Sequence, residues 1–321
     1  MKKDSKIYVA GHNGMVGSAI VRKLREEGYD NLVLRSHNEL DLLDQQSTFD
    51  FFKQEKPDYV VLAAAKVGGI MANDTYRAQF IYENLQIQNN VIHAAYENDT
   101  KKLIFLGSSC IYPKHAPQPM KEEHLLSGKL EDTNEPYAIA KIAGIKTCEN
   151  YYRQYGSNFF SIMPANLYGP NDNFDLKTSH VLPALIRKFH EGKIENKNEV
   201  TIWGTGKPER EFMHVDDLAS ACFFLMKEID AGDIYEQDIP HINIGTGKDL
   251  TINELAGLIS DIVGFEGEIV HDKTKPDGTP KKLLDVSRIN DIGWQAQIPL
   301  KEGIEQTYEW FKSNYNEIKS S

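Results

Sequence analysis

Apolar residues recur along this chain in two alternating periods. Lys6-Ile7-Tyr8-Val9-Ala10 is a strand-like run. Met15 to Glu27 then repeats apolar side chains at helical spacing, through Val16, Ile20, Val21 and Leu24. Leu32-Val33-Leu34 and Tyr59-Val60-Val61-Leu62 predict the second and third strands. A long helical stretch runs from about Arg77 to Asn98, carrying Phe80, Ile81, Leu85, Ile87, Val91, Ile92 and Ala95. Lys102–Leu106 predicts a fourth strand, Tyr137–Tyr155 a helix and Asn158–Met163 a fifth strand. Strands alternating with helices predict an α/β fold, a Rossmann-type doubly wound parallel sheet with its sites at the strands' C-terminal ends.

After Pro164 the pattern loosens, and prolines, glycines and charges break up the chain to about Thr205. Short strands are predicted at Val200–Trp203 and Ile242–Ile244, and helices at Thr251–Val263 and Leu300–Tyr315. Residues 1–165 therefore read as a dinucleotide-binding Rossmann domain. Residues 166–321 read as a smaller C-terminal substrate lobe with elements returning to the first sheet.

Composition narrows the function classes. The 321 residues can bury a large core, and no run approaches the ~20 apolar residues of a membrane span. Lys and Arg total 36 against 47 Asp and Glu, a net charge of −11. That argues against a nucleic-acid or anionic membrane partner, while a few local Arg and Lys still suffice for an anionic substrate. The polar start Met1–Ser5 is not a signal peptide. Three cysteines, Cys110, Cys148 and Cys222, make no disulfide framework, and their spacing fits no metal site. A reducing cytoplasm is the expected compartment.

Between the first strand and the first helix lies Gly11-His12-Asn13-Gly14-Met15-Val16-Gly17. Strand, glycine turn and helix in that order form a dinucleotide-binding turn. The turn is tight, and its backbone must lie close to a pyrophosphate held by the free N–H groups of the helix start. A glycine-rich helix entry without a ligand is the plain alternative. The second strand ends at Arg35-Ser36-His37, with no acid for the ribose hydroxyls. Arg35 suits a 2′-phosphate, so NADP(H) is the expected cofactor; a solvated surface arginine is the other reading.

Tyr137 and Lys141 stand four apart on a helix and so share one face. A neighbouring ammonium, together with the positive nicotinamide ring when the cofactor is oxidised, is expected to lower the phenol's pKa, so that Tyr137 exchanges a proton with a substrate oxygen while hydride moves at carbon. Lys141 is also placed to hold the nicotinamide ribose. A Tyr-x-x-x-Lys spacing alone occurs by chance. Its place on the helix after the fourth strand, and Ser108 at that strand's end, make it chemical. The Ser108 hydroxyl would orient the substrate oxygen beside Tyr137.

The glycine turn, Leu62-Ala63-Ala64-Ala65, Ser108, Tyr137-x-x-x-Lys141 and Arg210-Glu211-Phe212-Met213-His214-Val215-Asp216-Asp217 together resemble the extended short-chain dehydrogenase/reductase family. Lys66-Val67-Gly68-Gly69-Ile70, Gly107-Ser108-Ser109-Cys110-Ile111-Tyr112-Pro113, Asn134–Lys141 and Lys275-Pro276-Asp277-Gly278-Thr279-Pro280 resemble one branch of it. That branch turns GDP-4-keto-6-deoxy-D-mannose into GDP-L-fucose. The likeness covers almost the whole chain and implies epimerisation at carbons 3 and 5, then NADPH reduction at carbon 4. Inverting a carbon beside a carbonyl requires proton removal on one face and return on the other, hence two carriers. The resemblance places these at Cys110 as base and His180 as acid. Taken alone, Cys110 fits a small buried residue and His180 a polar helix entry.

The resemblance further implies GDP-sugar contacts at Lys188, Trp203, Arg210 and Asp277. It implies cofactor contacts along Gly11–Gly17 and at Arg35, His37, Ala64, Lys141, Pro164, Asn166, Leu167 and His180. Trp203 would equally serve a core, and Asn84 either anchors the cofactor region or is an exposed helix residue. The family often carries Arg at the positions of Asn13 and His37, so here the 2′-phosphate falls to Arg35, helped by a protonated His37. Relatives of this type pair the helices at 77–98 and 137–155, so a homodimer is expected.

Two other readings compete. A 4,6-dehydratase needs an acidic pair after the fourth-strand serine, where Ser109 and Cys110 stand, and a simple 4-epimerase needs neither Cys110 nor His180. A redox-sensing NADP-binding protein usually loses the Tyr or the Lys, and both are present.

Overall fold

The computed structural model describes residues 1–275 and 277–320. Pro276 of the Lys275–Pro280 stretch, Ser321 at the end of the expected second lobe and the side chain of Ile70 lie outside the described residues. Strands β1 (Ile7–Ala10), β2 (Leu32–Val33), β3 (Tyr59–Leu62), β4 (Lys102–Leu106) and β5 (Phe159–Pro164) come first. They are followed by β6 (Asn166–Tyr168), β7 (Glu199–Trp203), β8 (Glu209–His214), β9 (Ile242–Ile244), β10 (Asp249–Thr251), β11 (Glu268–Asp272) and β12 (Lys281–Lys282). The larger helices are α1 (Met15–Glu26), α2 (Gln45–Glu55), α3 (Ile70–Thr75), α4 (Arg77–Glu97), α5 (Glu135–Tyr155), α6 (Val181–Ile194) and α7 (Val215–Glu228). After them come α8 (Ala231–Tyr235), α9 (Ile252–Val263), α10 (Ser287–Asp291) and α11 (Leu300–Ser320).

The main sheet is wholly parallel, in the order β2-β1-β3-β4-β5-β9. Every residue of β1, β4 and β5 is buried, because helices cover both faces of such a sheet and leave its strands no polar side. The order reverses at β1, where the chain steps first to β2 and then across to β3, and this switch opens a crevice above the strand ends. Helix α1 buries Ala19, Ile20, Val21 and Leu24 and packs on α7, while α4 packs on α5.

Four elements packed with this first sheet, α7, α8, β9 and α10, come from beyond residue 166, so the second half of the chain returns to the first sheet. The remainder builds a second apolar cluster around Phe174, Leu185, Phe189, Ile202, Phe212, Ile259 and Phe311. Its strands form two small groups. One is β10-β8-β12, with β6 also on β8; the other is β11-β7.

The structure adds elements that periodicity missed. Helix α2 has a polar sequence with two adjacent buried rings, Phe51 and Phe52, and is started by Asp44, whose carboxylate accepts from Ser47 N at 2.6 Å. Helix α6 fills part of the loosened stretch before Thr205, α7 lies where no element is predicted, and α11 continues past Tyr315 to Ser320. No helix among the described residues is long and apolar enough to cross a membrane.

Candidate active site

The glycine turn is shaped by contact. Gly11 has φ +82°, and a Cβ there would come 2.8 Å from Ala64 N. A Cβ on Gly17 would run into the Gly11 carbonyl. Only glycine lets the turn fold under itself and lie against β3. Gly14 caps α1 without a side-chain partner, so the first N–H groups of the helix face the crevice unsatisfied. His12 Nδ1, buried beside them, also lacks a partner. A dinucleotide phosphate fits this cradle in shape and in donors.

One cavity of about 710 Å³ opens over the strand ends. Its wall carries Gly11 to Gly17, Arg35, His37, Ala64, Ser108, Tyr137, Lys141, Pro164, Asn166, Leu167 and His180. Asn84 is off the wall, and the structure settles its two readings. Its carboxamide accepts from Lys66 N at 3.1 Å and donates to Lys66 O at 3.0 Å, anchoring the loop after β3. Among the described residues, no group of three or more His, Cys, Asp or Glu could hold a metal ion.

Arg35 reaches the wall already paired. Its guanidinium meets Glu55 Oε1 at 2.6 Å and donates to Leu34 O at 3.0 Å. The side chain of His37 is 77% exposed, 3.8 Å from Asp41. A 2′-phosphate here must share Arg35 with Glu55, and NADPH should be favoured over NADH only narrowly. Losing one charge-assisted contact is worth about 1–3 kcal/mol, roughly 5- to 150-fold. The ratio of kcat/KM for the two cofactors at pH 6 to 8 checks this, and a clear NADH preference throughout would refute it.

At the chemical end, Ser108 caps the 3₁₀ turn Ser109–Ile111, accepting from Cys110 N at 3.5 Å. The Lys141 ammonium donates to Leu106 O at 2.8 Å and lies 5.7 Å from the Tyr137 ring centre. Burial lowers Lys141 to about 8. The expected lowering of Tyr137 is not found. Burial first, then the nearby Cys110, push its phenol well above the ordinary value, and the Ser108 hydrogen bond only partly opposes them. The phenol is thus held in its protonated form.

Cys110 lies just off the cavity wall and is 8% exposed. Burial pushes its thiol up, against the hydrogen bond from Ser108 and the charges of Lys282 and Lys141. His180 stands at the N-cap of α6 with no capping hydrogen bond, so its ring is left to the crevice. Protein surrounds it there although water reaches it, and its pKa is lowered by that burial and by Lys282. Both shifts favour the neutral form, of the thiol and of the imidazole.

Lys282 is the site residue that the sequence reading missed. Lys281 and Lys282 form the two-residue strand β12 beside β8, and neighbours on a strand face opposite ways. Lys281 pairs with Glu209 and Asp249. Lys282 is lowered by burial and feels Cys110, Arg210 and Glu131. Nothing in the sequence marked which lysine of a charged pair faces the Cys110 side.

The four expected GDP-sugar residues lie beyond the cavity wall on the second cluster. Trp203 is 48% exposed and is not core. The Lys188 and Lys275 ammonium groups stand 5.6 and 5.4 Å from its ring centre. Asp277 accepts from Thr205 N at 2.6 Å and from Thr205 Oγ1 at 2.8 Å, and it lies in the field of Arg210. A flat indole flanked by cations beside a half-buried arginine suits a base and a diphosphate.

The model of the NAD dependent epimerase/dehydratase family matches residues 7–245. The chain belongs to that family. It is 60% identical over 312 residues to GDP-L-fucose synthase 1 of Arabidopsis thaliana, covering 97% of this chain and 94% of that one. It is 55% identical to GDP-L-fucose synthase of Escherichia coli K12, with 98% of each chain covered. Among solved structures, the Campylobacter jejuni GDP-mannoheptose C4 reductase with NADP bound matches at a TM-score of 0.89. That match has 48% identity and covers 97% of this chain and 99% of the other.

One further wall residue of this family member is Asp172. Its Oδ1 accepts from Asn173 N at 2.7 Å, its Oδ2 is buried without a partner, and burial raises its pKa to about 7. A carboxyl whose folded pKa lies above its unfolded value contributes stability below about pH 4 and loses it as pH rises to about 7. Asp172→Asn should therefore be more stable than the parent at pH 8, by roughly 1–3 kcal/mol, with the gap narrowing at pH 5. Urea midpoints at the two pH values check this. A constant gap would show that Asp172 does not titrate in this range.

Proposed function

We infer that this chain carries out the reaction of the GDP-L-fucose synthases. It converts GDP-4-keto-6-deoxy-D-mannose to GDP-L-fucose by epimerisation at carbons 3 and 5 and NADPH-dependent reduction at carbon 4. Whole-length identity of 55–60% to curated synthases supports the overall reaction. The observation that carries its assignment to residues is that His180 shares one cavity wall with Ser108, Tyr137 and Lys141, with Cys110 on the turn that Ser108 caps. A reductase alone needs only Ser108, Tyr137 and Lys141.

The proposed roles follow from chemistry. Gly11 to Gly17 and the start of α1 hold the cofactor's pyrophosphate, and Pro164, Asn166 and Leu167 border the nicotinamide end. When bound, NADPH supplies hydride. Cys110 takes a proton from a ring carbon beside the ketone, with Lys282 and Lys141 favouring the thiolate. His180 returns a proton from the opposite side. The competent pair is thiolate with imidazolium, the less favoured protonation form of each group. Ser108 then holds the carbon 4 oxygen, and Tyr137 gives it a proton. Lys188, Trp203, Arg210 and Asp277 hold the GDP end.

We further propose two lobes, 1–165 and 166–321, a cytoplasmic setting and a homodimer. Three buried free cysteines suit a reducing compartment. Tyr82 on α4 is 64% exposed and Ile139 on α5 is 42% exposed, apolar surface where a second copy would cover them. Light scattering at micromolar concentration should give twice the monomer mass, and a monomer would reject the dimer.

NADPH oxidation with GDP-4-keto-6-deoxy-D-mannose tests the function directly. Turnover with this substrate and none with a UDP-linked ketosugar is expected. Reduction without exchange at carbons 3 and 5 would make the chain a C4 reductase, like its Campylobacter relative.

A further inference from the structure

Behind the Cys110 turn lies a polar cluster that the proposed roles do not use. Tyr112, His241 and Asn243 are 3%, 0% and 0% exposed. The Tyr112 hydroxyl donates to Asn243 Oδ1 at 2.6 Å and lies 2.7 Å from His241 Nε2. A hydroxyl has one proton to give, and a carboxamide oxygen can only accept. His241 therefore donates from Nε2 to the Tyr112 oxygen and is neutral, with Nδ1 buried and unpartnered. Asn243 Nδ2 donates to Met120 O at 3.0 Å and to Asp285 O at 3.1 Å, which fixes the orientation of its amide.

These bonds tie together the two segments that present Cys110 and Lys282. Tyr112 closes the 3₁₀ turn that carries Cys110. Met120, a few residues later, donates from N to Leu283 O at 2.7 Å and accepts at O from Asp285 N at 2.8 Å. Leu283 and Asp285 directly follow Lys282. Asn243 is thus the pin at the seam between the Cys110 segment and the Lys282 segment. Its own N–H donates to buried Glu122, which holds Arg288 at 2.7 Å, so the pin is anchored on its far side as well. Hydrogen bonds among buried groups are stronger than in water, so those made by the Tyr112 hydroxyl and the Asn243 amide hold the segments they join.

We propose that Tyr112, His241 and Asn243 are positioning residues that tie the turn carrying Cys110 to the segment carrying Lys282, and so set the rate of proton removal from the ring carbons. The inference rests on the epimerase half of the proposed function. The hydride half has anchors of its own, because Lys141 hangs on Leu106 O and Tyr137 is carried by α5, although Ser108 caps the same turn.

The test separates the two halves. Tyr112→Phe keeps the ring and removes the hydroxyl. Exchange of the substrate's carbon 3 and carbon 5 protons with D2O should slow by roughly 10- to 100-fold, the loss that follows about 1 Å of misplacement. Oxidation of GDP-L-fucose with NADP+, which reports hydride transfer, should stay within about 3-fold of the parent. The cofactor dissociation constant, read by NADPH fluorescence, should be unchanged. His241→Gln keeps a donor for the Tyr112 oxygen and should restore most of the exchange that His241→Leu loses, which gives the same comparison if Tyr112→Phe does not fold. Equal losses in exchange and oxidation, or no loss of exchange, would overturn the proposal and leave the cluster a packing feature. A parent enzyme that shows no exchange at all would instead overturn the epimerase reading itself.

Discussion

Cys110→Ser should nearly abolish turnover of GDP-4-keto-6-deoxy-D-mannose, with exchange at carbons 3 and 5 falling by ~10²–10⁴-fold. A serine hydroxyl keeps the shape of the turn but holds its proton far more tightly than a thiol. The Lys282 and Lys141 charges that oppose the upward push of burial on the thiol are too weak to ionise an alcohol. His180→Gln should slow exchange as well, because an amide cannot supply a proton. Cys110→Ser should leave NADPH binding unchanged, since Cys110 lies off the wall and the phosphate cradle lies at the α1 end of the crevice. Proton exchange followed by NMR without cofactor turnover is the measurement. If Cys110→Ser exchanges both positions at the parent rate, the thiol is only packing and another group must be the base.

Tyr137→Phe should show the opposite division. Reduction should fall by ~10²–10⁴-fold while deuterium still enters carbons 3 and 5. The phenol is the donor at carbon 4, and burial keeps it protonated across the neutral range. Ser108 can still orient the oxygen but is a far poorer acid. NADPH oxidation at the parent rate in this variant would remove Tyr137 from its role.

Much of this was legible before any coordinates. Continuous apolar runs marked β1, β3, β4 and β5 because parallel strands are buried on both faces. The glycine turn was readable because its geometry excludes side chains at Gly11 and Gly17. Other features were not. Helix α2 hides its two buried rings in a polar sequence. The environment of Tyr137 ran against expectation, because spacing on a helix says that Lys141 is near but not that burial and Cys110 govern the phenol. Arg35 was read as free, and Glu55, 20 residues later, holds it. Lys282 could not be singled out, since the way it faces depends on a two-residue strand that exists only by pairing with β8. Local patterns report the elements; long-range pairing decides which charges end up inside.

The central claim is that one site both epimerises and reduces. The most direct measurement is NMR of the product formed by the parent enzyme from GDP-4-keto-6-deoxy-D-mannose and NADPH in D2O. The account predicts GDP-L-fucose with deuterium at carbons 3 and 5. A GDP-6-deoxy-D-hexose that keeps its original protons at both carbons would contradict it.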